Sequence, residues 1–266
     1  MGNSQYAFDN EWARARTRLS AMERIEDPAT IDHLERIGVA EGWNCLEVGA
    51  GGGSITAWLS RRVGPTGCVV ATDLNTRLLE MLDFPQLNVL KHDVIRDDLE
   101  ASKFDLVHAR NLLIHIPERS KVLQKIAAAV KPGGWMLIEE SDFVTNQANP
   151  GVIESFNRLY EYIVQETHAS LESRGVDCHC GAHLPNMLQS LGFESLGGEG
   201  RASLFQGGSV DAECQKLTFE QLKDDILARR RVTEQELCDF LALFENPSFS
   251  WRGPLRVSVY GRRPQH

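Results

Sequence analysis

The chain has 266 residues, a formal net charge of −9 and 42% hydrophobic residues. These values are typical of a soluble globular protein with one large domain, or one domain plus an insertion. An acidic surface repels phosphate backbones, so nucleic acid is not an expected partner. The N-terminus lacks the apolar run of a secretory signal, and no stretch reaches the roughly 20 apolar residues of a membrane span. The six scattered cysteines favour reduced thiols and a cytoplasmic location.

Residues 1–40 are predicted to be helical and to form an N-terminal lid. Asp9 or Asn10 can cap a first helix. A second helix is predicted to open at Asp27-Pro28 and run to about Ile37, because proline is favoured at the first helical position. Aromatic residues near the N-terminus either pack outside the core or fold over a ligand.

Residues 41–142 alternate predicted strands and helices five times. The strands are expected at residues 44–48, 68–72, 87–90, 104–109 and 135–140, with helices or turns between them. This alternation predicts an α/β fold with a parallel sheet covered by helices on both faces. A helix that contains Leu78, Leu79 and Leu82 is predicted after the second strand. Residues 143–192 are predicted to form a helical cap insertion that begins with one long amphipathic helix at 145–175. Residues 193–266 are expected to return to the core sheet, with a helical insertion at about 211–245 made of two helices, at about 211–231 and 233–245.

A glycine-rich turn follows the first predicted strand, in the sequence Leu-Glu-Val-Gly-Ala-Gly-Gly-Gly-Ser at residues 46–54. Glycines allow positive φ angles and close approach of a ligand to the backbone, and strand, turn and helix together form a nucleotide-binding corner. Dinucleotide sites carry a glycine at the sixth position of this motif, where the chain has Ser54. Glu47 is unfavourable beside a pyrophosphate but suits an ammonium group, unless it only caps the loop.

Two further carboxylates follow predicted strands. Asp73 ends the second strand and can accept hydrogen bonds from both ribose hydroxyls. Asp93 ends the third strand and can accept one from the exocyclic amine of adenine, or it can close an Asx-turn instead. The implied ligand is a nucleoside that carries an amino-acid-like group and no phosphate.

Five ordered segments resemble the class I S-adenosylmethionine-dependent methyltransferases, in particular bacterial small-molecule members. They are LEVGAGGGS, ATDL, KHDV, FDLVHARNLLIHIP and KPGGWMLIEE. The resemblance implies a Rossmann-like, seven-stranded, mostly parallel sheet. It also implies S-adenosyl-L-methionine as cofactor, S-adenosyl-L-homocysteine as product, and methyl transfer to a small aromatic or natural-product-like acceptor of secondary metabolism.

By this resemblance, twelve residues are predicted to contact or shape the cofactor site. They are Tyr6, Arg18, Glu47, Gly49, Ala50, Gly51, Asp73, Leu74, Asp93, Val94, Arg110 and Asn111. Arg110 and Asn111 are expected near the reacting sulfonium, and Tyr6 and Arg18 near the cofactor carboxylate. Since Arg18 lies among other arginines of a predicted helix, a solvated side chain is the alternative.

Methyl transfer from a sulfonium is an in-line displacement, which requires alignment and exclusion of water. A general base is needed only when the nucleophile carries a proton of high pKa. His115 is the candidate base, and the alternative is a histidine that hydrogen-bonds the start of a helix. Two other functions stay open: a non-methylating enzyme on this scaffold, such as a cyclase, and a non-catalytic interaction protein.

The cap is predicted to hold the acceptor in an apolar pocket formed by Phe143, Phe156, Tyr160 and Trp251. Most aromatic residues at helical spacing belong to a core instead. Cys178-His179-Cys180 contains zinc-ligand types. No second ligand pair follows it, so no metal is predicted. We expect a monomer or a homodimer.

Overall fold

The computed structural model describes Phe8 and residues 12–265. These residues contain ten strands: β1 (Asn44–Val48), β2 (Cys68–Asp73), β3 (Leu87–Lys91), β4 (Phe104–Arg110), β5 (Val130–Asp142), β6 (Gln147–Ala148), β7 (Glu194–Arg201), β8 (Leu204–Gln206), β9 (Ser250–Arg252) and β10 (Leu255–Arg262). Seven of them form one sheet in the order β3-β2-β1-β4-β5-β10-β7. β1 to β5 are parallel, and β10 is antiparallel to both of its neighbours. The predicted mostly parallel, seven-stranded α/β fold is confirmed.

Eight α-helices lie in the described residues: α1 (Ala15–Ile37), α2 (Ser54–Val63), α3 (Arg119–Ala129), α4 (Glu154–Ser173), α5 (Cys180–Gln189), α6 (Val210–Gln221), α7 (Lys223–Ala228) and α8 (Glu234–Leu243). Among these, none combines the length and apolar character needed to cross a bilayer. Helices α4, α6, α7 and α8 pack on one another, and this group is called the cap. Helix α5 lies within the predicted cap insertion of residues 143–192 but packs on β5 and β10 of the core sheet instead. The three short strands β6, β8 and β9 form a separate antiparallel sheet, in the order β6-β9-β8.

Helix α1 is continuous, so the prediction of two helices separated at Asp27-Pro28 was wrong. Pro28 lies inside the helix. A proline removes one backbone donor but leaves its flanking residues free to make tertiary contacts. Here those contacts are strong, because the carboxylates of Glu26 and Asp27 accept hydrogen bonds from Arg256 at 2.7 Å and from Arg110 at 2.8 Å. Such bonds offset the local cost of the proline.

Three other predicted elements differ from the structure. Only a short 3₁₀ turn, Leu79–Met81, follows β2. The helix expected from residue 145 begins at Glu154, because Gln147 and Ala148 pair with β9 instead. The helix expected over 211–231 is divided into α6 and α7.

The cap has an aromatic core of its own. Ring centroids lie 4.7 to 6.5 Å apart in a cluster of Tyr160, Phe205, Phe219, Phe240, Phe244, Phe249 and Trp251. Tyr160 and Trp251 are 1% and 0% exposed. Their predicted place in an acceptor pocket was therefore wrong, because α4 directs Tyr160 toward α8 and β9, where it packs on Phe240 and Trp251. Phe156 also packs against the core, outside the cavity wall.

Candidate functional site

A cavity of about 970 Å³ lies at the carboxyl ends of the parallel strands. This edge is where open α/β sheets bind ligands. The ends of β1, β2, β3 and β4 form one side of the cavity, and α1, α4 and α6 form the other. Eleven of the twelve predicted cofactor residues line the cavity. The twelfth, Tyr6, lies outside the described residues.

The glycine loop is held in a conformation that requires glycine. Gly49, Gly51 and Gly53 have φ angles of +73°, +56° and +86°, a region that side chains disfavour. The N–H of Gly51 donates to Oδ2 of Asp73 at 2.9 Å, and Oδ1 accepts from the N–H of Asn75, also at 2.9 Å. Burial raises the pKa of Asp73. The loop and the carboxylate therefore form one preorganised unit, and the remaining lone pairs of Asp73 can accept from ligand hydroxyls.

Beside this unit, the cavity opens toward solvent. Leu74 is 52% exposed, whereas Val94 is 7% exposed. Both line the cavity, as does Asp93. Oδ1 of Asp93 accepts from the N–H of Ile95 at 3.0 Å, so the Asx-turn that was left as an alternative is present. The turn leaves Oδ2 of Asp93 able to accept from a ligand, because its one ion-pair contact within the described chain is with Arg96, at 3.5 Å.

A buried cluster of charges lies below the glycine loop. Nδ1 of His108 lies 3.5 Å from a carboxylate oxygen of Glu47, and Nε2 lies 3.2 Å from one of Glu139. The hydroxyl of Thr56 also donates to Glu47. Burial lowers the pKa of His108, but the two carboxylates outweigh it and raise the pKa overall. Burial likewise raises the pKa of Glu139, yet the hydrogen bond and charge of His108 bring it down to about 2. The cluster is thus an imidazole held between two carboxylates, which favour its protonated form.

Glu47 lines the cavity, although it is only 5% exposed and its carboxylate is in contact with Thr56 and His108. Neither His108 nor Glu139 was singled out from the sequence. Both lie inside recognised motif segments on neighbouring strands and are two register positions apart, since His108 pairs with Leu137 and Glu139 pairs with Arg110. A polar residue in the middle of an otherwise apolar strand was the signal that could have found them.

The two residues that end β4 hold α1 in place. The guanidinium of Arg110 donates to Asp27 at 2.8 Å and to Thr30 at 2.9 Å. The amide of Asn111 donates to Glu26 at 2.8 Å. Both residues line the cavity, as expected for residues near a ligand. Their polar groups nevertheless bind α1, so they support the cavity wall.

The deep end of the cavity contains a buried cation, Arg18, which is 4% exposed. The alternative of a solvated arginine is therefore wrong. Its guanidinium carbon lies 4.8 Å from the ring centroid of Phe8. His115 packs edge-on against the same ring, with centroids 5.5 Å apart. Burial and the neighbouring Arg18 lower the pKa of His115 to about 3, so its imidazole is neutral near pH 7.

Several cavity residues were not predicted. Glu23 lies against the glycine loop, and none of the described groups donates to its buried Oε1. Phe143, which was predicted, stacks on His168 with centroids 6.4 Å apart. Helix α6 adds one face to the wall, formed by Cys214, Gln215, Thr218, Phe219 and Leu222. Their spacing along α6 could have indicated a common face, but not that this face meets a cavity.

The Cys178-His179-Cys180 segment leads into α5. Cys178 and Cys180 are 1% and 0% exposed, and burial raises the pKa of both thiols. Asp177 and His183, at either end of the segment, bind each other at 3.1 Å. Within the described residues, no three His, Cys, Asp or Glu side chains are grouped as metal ligands would be.

Comparison with known proteins identifies the family. A family model described as "Methyltransferase domain" matches residues 5–196. The chain belongs to this methyltransferase family. Methyltransferase str3 of Strobilurus tenacellus is 30% identical over 191 residues, which cover 68% of this chain and 62% of the relative. The match thus spans less than two thirds of that fungal protein.

Two solved structures have a similar fold. Phosphoethanolamine N-methyltransferase 2 of Haemonchus contortus, in complex with phosphomonomethylethanolamine and S-adenosylhomocysteine, gives a TM-score of 0.58 at 19% identity, over 99% of this chain and 61% of that one. The [4+2]-cyclase SpnF gives 0.52 at 16% identity, over 90% and 82%. Identities this low show the fold alone.

Proposed function

We propose that the protein transfers the methyl group of S-adenosyl-L-methionine to a small acceptor, and that it releases S-adenosyl-L-homocysteine. The observation that carries this proposal is the glycine loop fastened to Asp73 at the carboxyl edge of the sheet. Membership of the methyltransferase family supports it. The surrounding carboxylates argue against a ligand with a pyrophosphate at the same place.

The cofactor is proposed to lie along the sheet edge. Adenine would pack on Leu74 and meet Asp93 and Val94, while the ribose hydroxyls would donate to Asp73. The amino-acid end would lie over Gly49, Ala50 and Gly51. Glu23 is proposed to face the ammonium group, because Oε1 is buried beside Gly52 with no donor among the described groups. Glu47 would add negative potential from below.

The acceptor is proposed to occupy the deep end, between α1, α4 and α6. Phe143 there offers an apolar surface next to His168, whose pKa burial lowers to about 4. Catalysis would rest on alignment of nucleophile, methyl and sulfur, and on exclusion of water. His115 is neutral and can accept a hydrogen bond from an acceptor hydroxyl or amine. A pKa of about 3, caused first by burial and second by the charge of Arg18, makes it a weak base.

Calorimetry with S-adenosylmethionine and S-adenosylhomocysteine tests the cofactor. Asp73→Ala removes two charge-assisted hydrogen bonds to the ribose, each worth about 1.5 kcal/mol or more. This predicts a loss of at least about 100-fold in affinity. Asp83→Ala is the matched control, since Asp83 is exposed and lies outside the cavity wall. Absence of binding by the wild type would overturn the proposed function, and unchanged affinity in Asp73→Ala would remove Asp73 from the site.

Methyl transfer itself needs a separate test. The wild type is incubated with labelled donor and a set of phenols, aromatic amines and indoles, and transfer of label is measured. His115→Ala is then assayed on the substrate found, and full activity would exclude a base role. Binding of the donor with no transfer to any acceptor would favour the non-methylating alternative.

A further inference from the structure

We infer that the acceptor carries an anionic group, a carboxylate on a flat apolar body, and that Arg18 binds this carboxylate at the deep end of the cavity. The inference rests on the proposed function and adds the chemical class of the acceptor. It differs from the sequence prediction, which assigned Arg18 to the carboxylate of the cofactor.

The first support is the missing partner of Arg18. Arg110 and Arg256 also line the cavity, but both are paired with carboxylates of α1. For Arg18, no carboxylate of the described chain lies within ion-pair distance, and its buried Nε has no acceptor there. Its Nη1 has only a weak contact with the sulfur of Met22, at 3.9 Å. A buried cation without a partner is costly, and a ligand anion would offset that cost.

The second support is the face of α1 on which Arg18 lies. The glycine loop meets a different set of α1 residues: Arg16 donates to the carbonyl of Gly52 at 3.1 Å, and Glu23 packs against the same glycine. Arg18 instead packs on Phe8. It is also close enough for its charge to act on His115 and on Cys214 of α6: it helps burial to lower the pKa of His115, and it opposes the larger effect of burial, which raises the pKa of Cys214. The guanidinium is therefore directed at the half of the cavity that the cofactor is not proposed to fill.

The third support is the lining of that half. Phe8, Phe143, Leu171, Phe219 and Leu222 provide apolar surface, which fits a flat body. A guanidinium is planar and presents paired N–H donors that match the two oxygens of a carboxylate.

The nearest charged groups do not oppose an anion in this half. Glu26, on the same face of α1, is already bound by Asn111 and Arg256. A carboxylate beside Arg18 would also compensate the charge that lowers the pKa of His115. Binding of an anionic acceptor would thus offset the smaller of the two causes that lower the pKa of His115, while burial, the larger cause, would remain.

The test measures probe binding to protein saturated with S-adenosylhomocysteine. The probes are matched pairs, namely 4-hydroxybenzoate, anthranilate and indole-3-carboxylate, each with its neutral amide. We expect the wild type to bind carboxylates at least tenfold more tightly than the amides. Arg18→Gln should lose this preference, and Arg18→Lys should retain part of it. Arg36→Gln is the control, since Arg36 is an exposed arginine of α1 that pairs only with Asp32 among the described residues.

The affinity for S-adenosylhomocysteine is measured on the same variants. Arg18→Gln should leave it within twofold of wild type. A loss of tenfold or more would show that Arg18 serves the cofactor, and it would overturn the inference while the proposed function stands. Equal binding of carboxylates and amides by the wild type would also overturn it. Failure of the wild type to bind S-adenosylhomocysteine would overturn the proposed function, and with it this inference.

Discussion

Replacement of His108 by leucine tests the charge cluster under the glycine loop. The imidazolium is fully buried and lies 3.5 Å from Glu47 and 3.2 Å from Glu139, which are 5% and 6% exposed. Leucine removes the positive charge and both donors but leaves two buried carboxylates close together. Breaking a buried ion pair from one side costs about 3–5 kcal/mol. We expect a loss of this size in the free energy of unfolding, or a fall in Tm on the order of 10 °C.

Urea denaturation of both proteins between pH 3 and pH 9 provides the assay. The folded pKa of Glu139 is about 2, below its ordinary 4.5, so its contribution to wild-type stability is lost as pH falls through that interval. The folded pKa of His108 is raised above 6.5, so its contribution is complete below pH 6.5 and is lost as pH rises through the folded value. The difference between wild type and variant should therefore be largest between about pH 4.5 and 6.5.

The control is His183→Leu. This variant removes a contact of 3.1 Å between the imidazole of His183, which is 59% exposed, and the carboxylate of Asp177. Exposed pairs contribute about 0–1 kcal/mol, so the control should remain close to wild type. A loss below 1 kcal/mol for His108→Leu, or a loss that does not change with pH, would refute the ion-cluster interpretation.

Three further predictions concern the loop, the cap and the turn after β4. Gly53→Ala should lower the free energy of unfolding by about 2–3 kcal/mol and Gly38→Ala by about 1 kcal/mol. Both glycines have φ near +86°, but only a Cβ at position 53 would crowd Leu79, at 2.9 Å. Equal losses on urea denaturation would exclude crowding. Trp251→Ala should cost about 3–5 kcal/mol without changing the affinity for S-adenosylhomocysteine, and a tenfold weaker affinity by calorimetry would contradict its place in the cap core. Glu140→Ala should lower stability by about 2–3 kcal/mol, because it removes the acceptor of three backbone N–H groups from the turn after β4. An unchanged Tm would contradict this.

The sheet and the glycine loop could be predicted because their signals are local. A short apolar run, a glycine turn and a following helix occupy consecutive residues, and the same pattern recurs along 41–142. Asp73 follows its strand directly, and in the structure it binds the glycine loop only 22 residues away. Such features depend little on distant parts of the chain.

The surroundings of α1 could not be predicted in this way. Whether Asp27-Pro28 breaks the helix depends on partners that include Arg256, which is 230 residues from Glu26 in sequence. The burial of Arg18 likewise depends on how α6 packs over α1. Tyr160 was assigned to the wrong environment because aromatic spacing along a helix is the same whether its partner is a core or a ligand. Trp251 lies in β9, and its burial depends on distant partners such as Tyr160 of α4.

Along its length the cavity changes from a solvent-exposed, or wet, end to a buried, or dry, end. At one end the side chain of Leu74 is 52% exposed, and at the other the side chain of Arg18 is 4% exposed. The effective dielectric constant falls along this path, and Coulomb interactions strengthen accordingly. A substituent added to a ligand at the wet end would project into solvent and be tolerated, so a fluorophore or affinity tag belongs on the part of a probe that lies beside Leu74. A charge added or removed at the dry end would change the affinity far more than the same change at the mouth.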